Sequence, residues 1–238
     1  MTGTILNVIT VIIGGTVGAA MGARLPEKMR DTIMHGLGLM TMVIGAQMAI
    51  GTRNILIVLA SILFGGIVGE MLGIQARLDT IGKKLEERFA RGEKAGTFTR
   101  GFVTASLVFC VGPMTILGSI QDGLIGDFNL LAIKSTLDGF AGLAFASTLG
   151  IGVAFSALTV FVVQGAISIA AMFFGSALGS VARDTPWVIE MTATGGVLIM
   201  GISLILLDLK QVRVGNLLPA IFIAPLVVVA LTALHIKF

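Results

Sequence analysis

Long apolar runs, broken at fairly regular intervals by Gly, Pro, Asn and short charged clusters, fill this chain of 238 residues. A helix needs about 20 mostly apolar residues to cross a bilayer's hydrocarbon. Reading each run against its breakers predicts eight spans: 3–22, 32–50, 54–74, 101–121, 129–150, 153–180, 187–208 and 215–234. Residues 149–181 are almost uninterrupted, so the count falls to seven if two spans merge there or one re-enters. The pattern therefore predicts an all-α polytopic membrane protein, with residues 1–238 as one transmembrane domain.

The interval between the third and fourth spans differs from the other connections. Ile74, Leu78, Ile81, Leu85 and Phe89 recur at spacings of three and four, which makes one apolar helical face among Lys and Arg. Residues 75–100 thus read either as an amphipathic helix on an anionic inner leaflet or as a solvated linker capping the bundle.

Composition agrees with the pattern: 55% of residues are hydrophobic, 12% are charged, and mean hydropathy is +1.01. The N-terminal run lacks a basic leader and a small-residue cleavage site, so the first span is expected to remain as a helix. The net charge of +3 reports orientation rather than nucleic acid, because basic residues collect in cytoplasmic connections. With both termini outside, twelve Lys and Arg face the cytoplasm, from Arg24 to Arg213, against Arg53, Arg183 and Lys237 outside.

Two halves of the chain resemble each other. GGTVGAAMGARLP at 14–26 matches GSALGSVARDTP at 175–186. MHGLGLMTMVIGA matches MTATGGVLIMGIS, and NILIVLASILFGG matches NLLPAIFIAPLVV. The expected organisation is a first three-helix repeat at 1–74, the linker at 75–100, a central helix pair at 101–152, and a second three-helix repeat at 153–238. An offset of five spans turns the second copy over, which predicts an inverted repeat of helices 1–3 and 6–8. Glycines recur every four residues at Gly14, Gly18 and Gly22, at Gly65, Gly69 and Gly73, and at Gly175 with Gly179. Such strips allow close helix approach inside a bundle, or between two copies in a homodimer.

Polar residues at membrane depth supply the candidate chemistry. Pro113, after Gly112, should kink or break the fourth span, and Thr115, Ser119, Gln121 and Asp122 follow. Two arrangements fit this: an interrupted helix lining a cavity for a small ion or polar solute, or a kink satisfied by neighbouring hydroxyls with Asp122 and Asp127 in an outer loop. Lys134 and Asp138 lie four residues apart on the fifth span, with Ser135 and Thr136 beside them. A carboxylate near the midplane must pair or face water. Glu70 among glycines reads as a gate or as an interfacial acid reaching back to the basic linker, and Gln47 reads as a donor to a cavity or to a neighbouring helix. Trp187 reads as an interfacial anchor, while Glu190 and Asp208 fall near span ends where water can reach them.

One cysteine, Cys110, and two separate histidines, His35 and His235, offer no metal-ligand spacing. Neither a nucleophile with its base nor a phosphate-binding loop is visible, so the expectation is no enzyme and no cofactor. TGTILNVITVIIGGTVGAAMG, FCVGPMTILGSIQDGL and KSTLDGFAGLAFASTLGIGVAFSAL together resemble the YqgA/YdfK-like family of bacterial inner-membrane proteins, domain of unknown function 554. The resemblance implies a multi-helix plasma-membrane protein, loosely described as a sodium channel or pump, and brings no functional residues with it. The residues themselves favour a secondary transporter or channel, with a membrane scaffold or signalling partner as the alternative.

Overall fold

A computed structural model describes residues 1–90, 96–174 and 185–235, and everything regular among them is helical. In chain order the helices are α1 (Thr2–Gly22), α2 (Glu27–Ile50), α3 (Ile55–Leu72), α4 (Ile74–Phe89), α5 (Thr97–Val111), α6 (Pro113–Leu124), α7 (Asn129–Leu149), α8 (Gly152–Phe155), α9 (Ala157–Phe174), α10 (Pro186–Leu206) and α11 (Pro219–Ala233). A 3-10 turn, Val214–Leu217, precedes α11. Among the described residues seven helical segments are long and apolar enough to cross a membrane, with α8 and α9 counted together, and the bent pair α5 and α6 makes an eighth.

Local chemistry explains several of the helix ends. α3 starts where the Asn54 side chain accepts from the amide of Leu56, 3.0 Å away. It stops at Gly73, whose φ of +61 suits a residue without Cβ, and α4 begins at the next residue. Pro186 and Pro219 occupy first-turn positions, where a missing amide proton costs nothing. Between α5 and α6 the axis turns by 63° at Gly112 and Pro113, so the expected fourth span is two helices.

The chain divides into two compact units. The first comprises Met1–Leu37, Leu78–Cys110 and Met114–Ser180; the second comprises Gly38–Arg77, Val111–Pro113 and Val181–Phe238.

In the first unit α1 is laid along α7 through its glycine strip. A methyl carbon added at Gly14, Gly18 or Gly22 would stand 2.1–2.2 Å from the carbonyl oxygen of Gly139, Leu143 or Ser147 respectively. The constant register shows the two helices running parallel. Because α1 and α7 start on the same side, an odd number of crossings must separate them. Counting α2, α3 and the bent pair α5 and α6 as one candidate span each gives that odd number. α4 packs Gly82 against Thr99 and Phe102, so part of its apolar face is covered by α5, while Ile81 and Phe89 stay outward-facing. Glu86 of α4 caps the start of α5, accepting from the amides of Gly96 at 2.7 Å and Thr99 at 3.2 Å and from the Thr99 hydroxyl. These bonds, the hydroxyl's first, hold its carboxyl below the ordinary 4.5.

In the second unit α2 and α10 pack antiparallel through Gly45 and Gly196, and α3 and α11 pack antiparallel through Gly65 against Ala220 and Gly69 against Asn216. The glycine strips of α1 and α3 are therefore used inside the units, as internal packing requires. Gly175 and Gly179 lie outside the described residues, as do Arg91, Lys94, Arg183 and Lys237 from the charge pattern and most of the 175–186 repeat segment.

Candidate functional site

Polar side chains of α1, α6, α7 and α9 are buried in the interior of the first unit. Lys134 and Asp138 form an ion pair one turn apart on α7 and are 5% and 8% exposed. Nδ2 of Asn7, on α1, donates to the same Asp138 oxygen at 2.9 Å. The pair lies near the middle of α7, since Asp138 is roughly 13 Å along that helix from Asn129 at about 1.5 Å per residue. The Lys134 ammonium stands 6.0 Å from the centroid of the Phe109 ring, which puts the pair beside the break that ends α5.

At that break Pro113 supplies no amide proton to the Phe109 carbonyl four residues earlier. The Thr115 hydroxyl donates to that carbonyl instead, at 2.8 Å. Thr115 is thus a repair of the break, as in the hydroxyl-satisfied alternative. Gly112 is half-buried with open space around its Cα. Ser135 donates to Leu131 of its own helix at 2.7 Å, which satisfies it locally.

Asp122 lies on α6 inside the unit, 3% exposed, and not in the outer loop. One oxygen accepts from the Gly3 amide at 3.1 Å and the other is 3.0 Å from the α-amino group of Met1, so Asp122 holds the positive end of α1. Asp127 does stay in the loop, accepting from the Asn129 amide at 3.0 Å. Gln121 is half-buried on α6.

Several fully buried polar atoms in the same unit have no hydrogen-bond partner among the described residues: the hydroxyls of Thr4 and Ser119, Oδ1 of Asn7, and both Oε1 and Nε2 of Gln164. Some of them lie on helices that touch one another. The Ser168 hydroxyl donates to the Ser119 carbonyl at 3.0 Å, and Gln164 lies one turn before Ser168 on α9. Thr4 and Asn7 share a face of α1, and α1 packs on both α7 and α9. Leaving a buried polar group unpaired costs about 1–3 kcal/mol, so each of these groups is expensive unless something polar meets it.

Sequence reasoning named Lys134, Asp138, Thr115, Ser119 and Asp122 but missed Thr4, Asn7, Gln164 and Ser168. A signal was present: Asn7 and Gln164 are single amides inside apolar runs, where an unpaired amide is expensive.

Gln47 and Glu70 belong to the second unit. Gln47 faces outward on α2. Glu70 is exposed, accepting from Arg213 at 2.8 Å and from Asn216 Nδ2 at 2.5 Å, so its partners lie between α10 and α11 and not in the basic linker. Glu190 corrects the reading of a water-accessible span end. It is fully buried, accepting from the Thr52 hydroxyl at 2.5 Å and from the amides of Arg53 and Asn54 at 2.8 and 3.2 Å, which ties α10 to the start of α3. Among the described residues no cluster of three His, Cys, Asp or Glu side chains is placed to hold a metal ion.

Residues 2–229 match the family described as Protein of unknown function (DUF554). The chain belongs to that family. It is 30% identical over 242 residues, the full length of both chains, to the Uncharacterized membrane protein YdfK of Bacillus subtilis (strain 168). It is 28% identical over 226 residues to the Uncharacterized protein YqgA of Escherichia coli (strain K12), covering 93% of this chain and 94% of that one. No solved structure matches. With its candidate spans and a relative described as a membrane protein, this member of the family is a membrane protein.

Proposed function

We propose that the protein is a secondary transporter or channel for a small ion or polar solute, acting in the bacterial inner membrane with both termini outside. The observation that carries this reading is the set of unpartnered, fully buried groups of the first unit, Thr4, Asn7, Ser119 and Gln164, of which Asn7 also holds the buried Lys134–Asp138 pair. Gln164 is central because it is unpaired as donor and as acceptor, and a permeating polar species would satisfy both. The broken helix next to the pair adds support, since interrupted helices at membrane depth are tolerated where they line a cavity or are buried in protein.

The antiparallel pairing of α2 with α10 and of α3 with α11 favours the inverted repeat. Those are the helices whose sequences match, and an inverted copy packed on its counterpart about an axis in the membrane plane must run antiparallel to it. Such an arrangement gives inward-open and outward-open states of similar energy. A non-transporting scaffold is favoured by one observation: the Lys134–Asp138 pair is closed and the Phe109 carbonyl is already taken by Thr115.

Flux into proteoliposomes separates the two readings, with panels of cations, anions and small metabolites under imposed gradients. The native chain should move at least one species, and Asp138→Asn, Lys134→Met and Gln164→Leu should abolish that movement while the purified proteins remain folded. A native chain that moves nothing under any gradient, or folded variants with native flux, would overturn transport through this site.

A further inference from the structure

A cleft of about 230 Å³ opens in the first unit, away from the Lys134–Asp138 pair, where α1 and α7 finish and α2 and α5 begin. Ala19, Gly22, Ala23, Ala146 and Gly150 give it small apolar walls, and Arg30 and Thr97 are its polar members. Beside it α1 and α7 approach closely, since a methyl at Gly22 would stand 2.1 Å from the Ser147 carbonyl oxygen. Gly150, which ends α7 with a φ of +76, also contributes no side chain to fill it.

Arg30 lies in the second turn of α2 and donates through Nη2 to the Thr148 carbonyl in the last turn of α7, at 2.8 Å. That bond uses one of five N–H donors and fixes the guanidinium at the cleft wall. The other donors have no partner among the described residues. Thr97 opens a helix of 15 residues, whose first turn favours a negative group. The acid tied to this end of α5 is Glu86, and its oxygens already accept from Gly96 and Thr99. Between the end of α1 and the second turn of α2, Arg24, Lys28 and Arg30 outnumber Glu27 and Asp31.

We propose that this cleft binds the phosphate of an anionic phospholipid. The planar Arg30 fork matches phosphate oxygens, the Thr97 hydroxyl supplies a second donor, and the apolar walls cover the glycerol and first acyl carbons. A basic pocket between membrane-spanning helices is suited to a lipid headgroup, and a chain embedded in lipid meets that ligand before any other. The apolar walls distinguish this cleft from a site built for a free ion, which would be lined by donors throughout.

The test uses the full chain in neutral detergent, with native mass spectrometry and thermal unfolding after separate additions of dioleoylphosphatidylglycerol, dioleoylphosphatidylcholine and inorganic phosphate. Phosphatidylglycerol should remain bound and raise the unfolding midpoint, and phosphatidylcholine should do neither. Arg30→Gln, which removes the charge but can still donate to Thr148, should weaken phosphatidylglycerol binding by about tenfold or more, the loss expected of one charge-assisted hydrogen bond. Ala23→Phe, from an outward position, should do the same by filling the cleft, whereas Lys83→Gln and Lys84→Gln on α4 should leave binding unchanged. If inorganic phosphate reproduces the shift with the same dependence on Arg30, the phosphate chemistry stands and its source is the free ion. Equal binding of phosphatidylglycerol to native, Arg30→Gln and Ala23→Phe chains, or equal binding of the two lipids, overturns the proposal.

Discussion

The Thr115 hydroxyl closes on the Phe109 carbonyl at 2.8 Å, and the proline between them is what leaves that carbonyl open. Both groups are buried, so water cannot substitute. Thr115→Val keeps the shape and removes the donor. It should cost about 1–3 kcal/mol, the penalty for a buried acceptor left unpaired. Thr115→Ser should retain most of the stability. Unfolding in detergent measures both, and equal stability of the valine and serine variants would refute a repair role for this hydroxyl.

Lys134 and Asp138 should behave as a unit. Removing one partner from a buried ion pair leaves an uncompensated charge and typically costs about 3–5 kcal/mol, while replacing both is far milder. Lys134→Met and Asp138→Asn should each destabilise more than Lys134→Met/Asp138→Asn together, a non-additivity that a double-mutant cycle in detergent reads directly. Additive losses would mean the two side chains do not depend on each other. If the transport reading holds, all three variants lose flux, so the double variant is stable and inactive.

The glycine strip of α1 should tolerate no side chain. Gly18→Val would drive a Cβ to within 2.2 Å of the Leu143 carbonyl oxygen, which only separation of α1 from α7 can relieve. Overpacking of this kind costs about 1–3 kcal/mol and sometimes more. Gly36 on α2 has nothing within 4 Å of an added Cβ, so Gly36→Ala should be neutral or stabilising by up to about 1 kcal/mol through helix propensity. Thermal unfolding of the two variants side by side checks the contrast.

Glu86 gives the contact between α4 and α5 a pH dependence. Its carboxyl is held below the ordinary 4.5 by its bonds to Thr99 and Gly96. The folded state therefore binds fewer protons than the unfolded state in that range, and the contribution is complete above about 4.5 and lost as pH falls through the lower folded value. Hydrogen exchange at the amides of Gly96 and Thr99 should rise in acid, after correction for intrinsic rates, and Glu86→Gln should flatten the response. An unchanged profile in that variant would assign the effect to another group.

The residues differ in how far local sequence announced them. Pro113 marked the broken helix because a missing amide proton is a local fact. Lys134 and Asp138 were legible as a pair because a spacing of four puts them on one face. Asn7 was not legible as their partner, since it reaches Asp138 across 131 positions, and helical periodicity carries no information over that separation. Glu190 was misread for the same reason. Its position near a span end suggested water, while its actual partners, Thr52, Arg53 and Asn54, are brought there by the packing of the second unit.

The sequence by itself determined the solvent, the helical class, the approximate spans and the break, because each follows from short-range rules of burial and backbone hydrogen bonding in lipid. Only tertiary structure decided that α1 and α7 run parallel, that the glycine strips are spent inside the units, and which buried polar groups find partners. Those outcomes depend on which helix faces meet, and a face chooses its neighbour by shape and hydrogen bonding across the whole chain.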